Sequence, residues 1–265
     1  MALAKARGMT RQLDYLWRLL GTALSFCLFG IGGLLMSLLI FSPMLLVRNR
    51  QRRRVLARWC IHKSFKCFLS FMEFVGVMRL EVEDSEQLRT CGNVLVLANH
   101  PTLIDVVALI SLMPNASCVV KAALWRNPFI GGVVRAADYI SNSTPEELLQ
   151  DCARDIGNGN PLIIFPEGTR TRPGKPLRFL RGASYIALHS DRPVLPVLIY
   201  CEPGTLSKQQ KWYQIPEHRF RLKVKILPQE NIGQWVNQAD APTIAARKLT
   251  QALEAFFMQK LDCHG

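Results

Sequence analysis

His100 and Asp105 stand five residues apart in Asn99-His100-Pro101-Thr102-Leu103-Ile104-Asp105. An imidazole and a carboxylate so spaced can handle a proton together. The carboxylate bonds one ring nitrogen and fixes the tautomer, leaving the other nitrogen to accept a proton. The flanking residues suit this. Val94 to Ala98 is an apolar run after Gly92-Asn93 and reads as a buried strand. Pro101 stops the strand and can open a helix at its first turn. His100 then sits on a strand-to-helix corner facing a cleft, with Asp105 about one and a half turns into the helix. The alternative is a structural histidine at a corner beside a solvated aspartate, because short spacings also arise by chance.

A second stretch repeats the arrangement. Leu162 to Phe165 is apolar and runs into Phe165-Pro166-Glu167-Gly168-Thr169-Arg170-Thr171. A carboxylate, a glycine and an arginine after a buried strand make a polar pocket wall. Arg170 suits a phosphate because its planar fork donates two parallel hydrogen bonds. Taken together and in this order, the two stretches resemble the glycerolipid acyltransferase family, which includes 1-acyl-glycerol-3-phosphate acyltransferase. Asn-His-x4-Asp matches that family's first block and Phe-Pro-Glu-Gly-Thr-Arg its third. The resemblance covers roughly residues 90–200.

The resemblance implies acyl transfer from a thioester, acyl-CoA or acyl carrier protein, to a hydroxyl of a lysophospholipid. His100 would be the general base and Asp105 its orienting partner. Asn99, Lys121, Glu167, Gly168, Thr169, Arg170 and Pro196 would bind substrate. This chemistry requires no metal and no cofactor. The chain departs from the family in two places. The family often carries Lys-x-Glu-Leu where this chain has Lys121-Ala122-Ala123-Leu124. Its second block resembles Gly-x-Ile-x-Ile-x-Arg, whose arginine helps bind the acceptor phosphate. Here Asp138 to Thr144 contains no arginine, and Arg135 lies upstream. Acceptors outside the glycerophosphates, such as ornithine or polyene lipids, therefore stay open. Val194 to Tyr200, an apolar strand centred on Pro196, resembles the fourth block at the acyl site. A proline there predicts an edge strand or a bulge.

The chain has 265 residues, enough for one α/β domain and an appendage. Its 33 Lys and Arg against 20 Asp and Glu give a net charge of +13. That balance favours an anionic membrane, an acidic carrier protein or nucleic acid. No zinc-finger, RNA-recognition or homeodomain pattern is present, so nucleic acid is not expected. The eight cysteines include no Cys-x-x-Cys, which argues against a zinc site or a disulfide framework.

Residues 19–47 carry no charge and can span a bilayer or enter and return as a hairpin bent at Gly30 to Gly33 or at Pro43. Arg48, Arg50, Arg52, Arg53, Arg54, Arg58, Lys63 and Lys66 follow, which puts this side and the catalytic domain in the cytoplasm, at the inner membrane. Residues 55–75 are amphipathic and would lie in the interface or pack on the catalytic domain. The expected division is residues 1–77, a membrane segment with an amphipathic helix, and residues 78–265, the catalytic domain. The catalytic domain is expected to be α/β, with a mixed central sheet flanked by helices. The rival readings are an ester hydrolase, for which the Gly-x-Ser-x-Gly elbow is missing, and a non-catalytic membrane-bound lipid- or carrier-binding protein.

Overall fold

A computed structural model describes residues 2–264 apart from 128–129, 143 and 238. The chain opens with helix α1 (Ala2–Met36), which continues through a π-helical turn at Ser37–Phe41 into α2 (Ser42–Met44). Helix α3 (Arg50–Phe74) then returns. It is capped by Asn49, whose side chain accepts the Arg52 N–H at 2.9 Å. The two helical runs are antiparallel: Trp17 meets Val75, and Phe29 meets Phe65 and Phe68.

The remaining elements are β1 (Met78–Glu83), α4 (Glu86–Thr90), β2 (Leu95–Ala98), α5 (Asp105–Leu112), β3 (Ser117–Val120), α6 (Ala122–Trp125) and α7 (Gly131–Ala137). They continue with β4 (Ile140–Ser141), α8 (Pro145–Gly157), β5 (Leu162–Ile164), α9 (Arg181–Ser190), β6 (Val194–Glu202), β7 (Phe220–Ile226) and α10 (Pro242–His264). The strands form a seven-stranded sheet in the order β1-β7-β6-β2-β5-β3-β4. All neighbours are parallel except β6 and β7. The expected mixed α/β sheet flanked by helices is what the chain forms.

Helices cover both faces, which is why β2 is apolar at every position. Val96 and Ala98 join the core beneath α3, α5 and α7, while Leu95 and Leu97 join the core beneath α8, α9 and α10. Burying each such side chain contributes about 1.5–3 kcal/mol. Because five strands run the same way, the loops after β2, β3, β4, β5 and β6 leave from one edge of the sheet.

Several local expectations shift. Gly30 to Gly33 lie within unbroken helix, and the chain turns back only after Met44. Helix α3 packs on the domain through Ala57, Ile61, Leu69 and Met72, while Val55, Leu56, Trp59 and Phe74 stay exposed. Ala137 ends α7, because Asp138 turns left-handed at φ 56°. The helix after His100 begins at Asp105 itself, so Asp105 occupies its first position rather than its second turn. Pro196 is not on an edge strand. It pairs with Leu97 inside the sheet, and its carbonyl accepts the Leu227 N–H at 2.9 Å, just past the end of β7. The ladder resumes only at the Val194–Glu230 bridge, so the missing proline N–H falls in the interruption.

Candidate active site

Strands β2 and β5 are parallel neighbours. Their ends therefore bring His100 and Glu167, 67 residues apart, to the carboxyl edge of the sheet, where open α/β sheets hold ligands. The His100 Nδ1–H donates to Asp105 Oδ2 at 2.8 Å, and Nε2 has no partner among the described residues. The imidazole stacks on Phe165, with centroids 4.3 Å apart. Asp105 is fully buried, whereas the His100 side chain keeps 16% exposure and can meet a substrate.

Asp105 reaches His100 from the first residue of α5 because a tight turn precedes it. Its Oδ2 also accepts the Thr102 N–H at 2.8 Å, and Thr102 Oγ1 accepts the Ile104 N–H at 3.2 Å. This closes a turn just ahead of α5, in which the acid at the helix's first position reaches back to the residue three before it. Burial pushes the Asp105 carboxyl up to about 6, opposed by the hydrogen bond from His100.

The main chain of His100 is held from across the sheet. Its N–H donates to Glu167 Oε1 at 2.9 Å, and its carbonyl accepts the Thr171 N–H at 2.7 Å. Thr171 Oγ1 closes the ring by donating to Glu167 Oε1 at 2.7 Å. Burial raises the Glu167 carboxyl, while the Thr171 hydroxyl and the His100 N–H hold it down. Glu167 thus fixes the corner that carries the histidine. Asn99 is also occupied: its amide donates to Ile199 O and accepts the Ile199 N–H, each at 2.8 Å, extending the β2–β6 pairing.

The other expected residues divide. Gly168 holds φ +63°, and a side chain there would strike Leu180, so the turn needs a glycine. Thr169 is half-buried beside it. Arg170 Nη1 donates to Leu206 O at 2.8 Å and Ser207 O at 3.0 Å, which leaves the rest of the guanidinium for an anion. Lys121 is exposed after β3, at the same sheet edge. Pro196 is not brought to the dyad and lies buried within the sheet opposite Leu97. Arg135 binds the Trp125 carbonyl. Thr102, Thr171, Phe165 and the carbonyls of Leu206 and Ser207 were not anticipated. Thr102-x-x-Asp105 carries a readable helix-start pattern; the others depend on contacts distant in sequence.

An acyltransferase family model matches residues 79–200, a span that holds β2 through β5, most of β6 and both motif loops. The chain is 24% identical over 220 residues to 1-acyl-sn-glycerol-3-phosphate acyltransferase alpha of Bos taurus, covering 77% of this chain and 71% of that one. It is 31% identical over 128 residues to 1-acyl-sn-glycerol-3-phosphate acyltransferase of Cocos nucifera, covering 45% and 41%. The crystal structure of the 1-acyl-sn-glycerophosphate (LPA) acyltransferase PlsC from Thermotoga maritima shares the fold. Its TM-score is 0.63 at 22% identity, over 93% of this chain and 97% of that one. Residues 79–200 therefore form an acyltransferase domain, and the chain is an O-acyltransferase of the 1-acylglycerol-3-phosphate type.

Proposed function

We propose that the protein moves an acyl group from acyl-CoA or acyl carrier protein to the free hydroxyl of a lysophospholipid, with 1-acyl-glycerol-3-phosphate as first candidate. The observation that carries this is the 2.8 Å bond from His100 Nδ1 to buried Asp105. With Nδ1–H committed to the carboxylate, Nε2 keeps its lone pair and takes the proton of the acceptor hydroxyl. The alkoxide attacks the thioester carbonyl, and the collapsing intermediate releases the thiol, protonated by His100. No protein nucleophile intervenes. General-base help of this kind is worth roughly 10²–10⁴-fold. The remainder comes from positioning. Arg170, with its unspent N–H groups, and Lys121 are the cations proposed for the acceptor's phosphate.

Membrane attachment belongs to the same reading, with residues 1–77 attaching and residues 78–265 catalysing. One helical run, Thr10–Met44, is long and apolar enough to cross a bilayer. Leu13, Leu16, Trp17, Leu20, Leu24, Leu28, Ile31 and Leu35 are exposed along α1. Helix α1 also runs beside α3 and the 203–219 loop, where Phe26 meets Trp212, which favours a helix lying against the domain at the cytoplasmic face of the inner membrane.

The test uses full-length protein in detergent, wild type beside His100→Ala, with labelled acyl-CoA or acyl carrier protein and a panel of lysolipids. His100-dependent transfer to one acceptor supports the reading and names the substrate. Undiminished transfer by His100→Ala removes the base assignment. Free fatty acid released without acceptor indicates a hydrolase instead.

A further inference from the structure

Helix α1 is apolar and largely exposed, yet Arg18 on it is 4% exposed. A guanidinium in such a place is costly unless its donors are met. Here all three nitrogens are used. Nη1 donates to Pro216 O at 2.7 Å, Nη2 to Glu217 O, and Nε to Asp14 at 2.9 Å. Pro216 and Glu217 lie in the loop between β6 and β7. The same loop supplies Leu206 O and Ser207 O to Arg170, and Leu206 O also accepts the Leu103 N–H at 3.2 Å. The two grips adjoin, because Arg18, Thr22, Thr205, Leu206 and Pro216 line one small void. Leu206 holds φ +52°, a conformation that an ordinary side chain keeps only where its surroundings enforce it.

We propose that Arg18 is a positioning residue for the acceptor side of the catalytic centre. It fixes the loop from the helix side, and the fixed loop presents the two carbonyls that aim Arg170. This rests on the reading of Arg170 as the acceptor's anion contact. His100 is pinned by Glu167 and Thr171, and the loop meets the dyad's turn at the Leu103 N–H, so Arg18 acts first on Arg170 and the acceptor side. Loss of Arg18 leaves two loop carbonyls without their charged donor, and Arg170 loses its fixed mount. The consequence is weaker acceptor binding with unchanged donor binding.

The experiment compares full-length wild type, Arg18→Ala, Arg18→Lys, Arg170→Lys and the Arg18→Ala/Arg170→Lys double variant in detergent, with acyl-CoA and 1-acyl-glycerol-3-phosphate. Arg18→Ala should raise the acceptor KM about tenfold, the equivalent of one lost charged hydrogen bond, and leave the donor KM unchanged. Arg18→Lys should recover part of it. The double variant should be no worse than the poorer single one, because both act through one loop. Unchanged acceptor KM overturns the proposal. So does a lowered kcat with both KM values intact, which marks only a smaller folded fraction. If wild type does not use this acceptor, the functional reading fails first, and amide hydrogen exchange over residues 205–217 decides alone. Faster exchange in Arg18→Ala supports the link, and equal exchange overturns it.

Discussion

Glu167 accepts the backbone N–H of His100 through the same oxygen that accepts the Thr171 hydroxyl, so the loop after β5 sets the position of the imidazole after β2. The third-block glutamate is part of the histidine's mount. Glu167→Gln keeps an oxygen acceptor and should lose only a few-fold in kcat. Glu167→Ala strands a half-buried N–H and should cost about 1–3 kcal/mol of stability together with a larger fall in kcat. Thermal melting and single-turnover transfer on the same samples check both.

Asp105 separates stability from activity. Its folded carboxyl is pushed up to about 6 from an ordinary 3.8. A raised carboxyl contributes stability at low pH, and this is lost as pH rises through about 6. At pH 8 the ionised group costs the fold about 3 kcal/mol. Asp105→Asn should therefore melt no lower than wild type at pH 8, while transfer falls by roughly 10²–10⁴-fold as the tautomer lock is lost. A variant that melts much lower would instead make Asp105 a structural anchor.

The same dyad should set an acid limit on wild-type activity. Burial favours the protonated Asp105 carboxyl, which no longer holds the imidazolium formed as the hydroxyl gives up its proton, and the resulting limb belongs to the coupled His100–Asp105 pair. A plot of log kcat against pH should approach a slope of about one per pH unit on the acid side. Rates measured under acceptor and donor saturation give this limb directly.

The sheet was legible because β2, β5 and residues 194–199 of β6 are apolar throughout, a pattern forced by helices on both faces. The dyad was legible because its two residues are close in sequence. What the sequence hid were bonds closed by tertiary packing. Asn99 carries a polar amide next to His100, which suggests substrate binding, but the amide is spent on Ile199, 100 residues away. Pro196 suggests an edge strand or a bulge; it sits inside the sheet, where β7 ends beside it and the pairing slips by one residue before the Val194–Glu230 bridge. The helix starts at Asp105 rather than Pro101 because Thr102 and Asp105 close their own turn first.

Arg58 gives the last prediction. It lies on α3 in a basic run whose helix the sequence places either in the membrane interface or against the domain, and it is 1% exposed. Its Nε donates to Ala137 O at 3.0 Å, and its Nη2 donates to Ser117 Oγ and Asp155 Oδ2, each at 3.1 Å. Arg54 donates to the other oxygen of Asp155 at 3.0 Å. The cluster gathers α3, α7, α8 and the start of β3 at the amino edge of the sheet, away from His100. Arg58→Met leaves Asp155 half-neutralised in the core and should cost about 3–5 kcal/mol. Arg58→Lys should recover little, because one ammonium cannot replace a planar fork that serves five partners, the carbonyls of Asn115 and Asp138 among them. Below the melting transition, the surviving folded protein should keep wild-type KM values for donor and acceptor. A changed KM in Arg58→Met would mean that the cluster reaches the catalytic edge, and that α3 positions the reaction as well as holding the domain together.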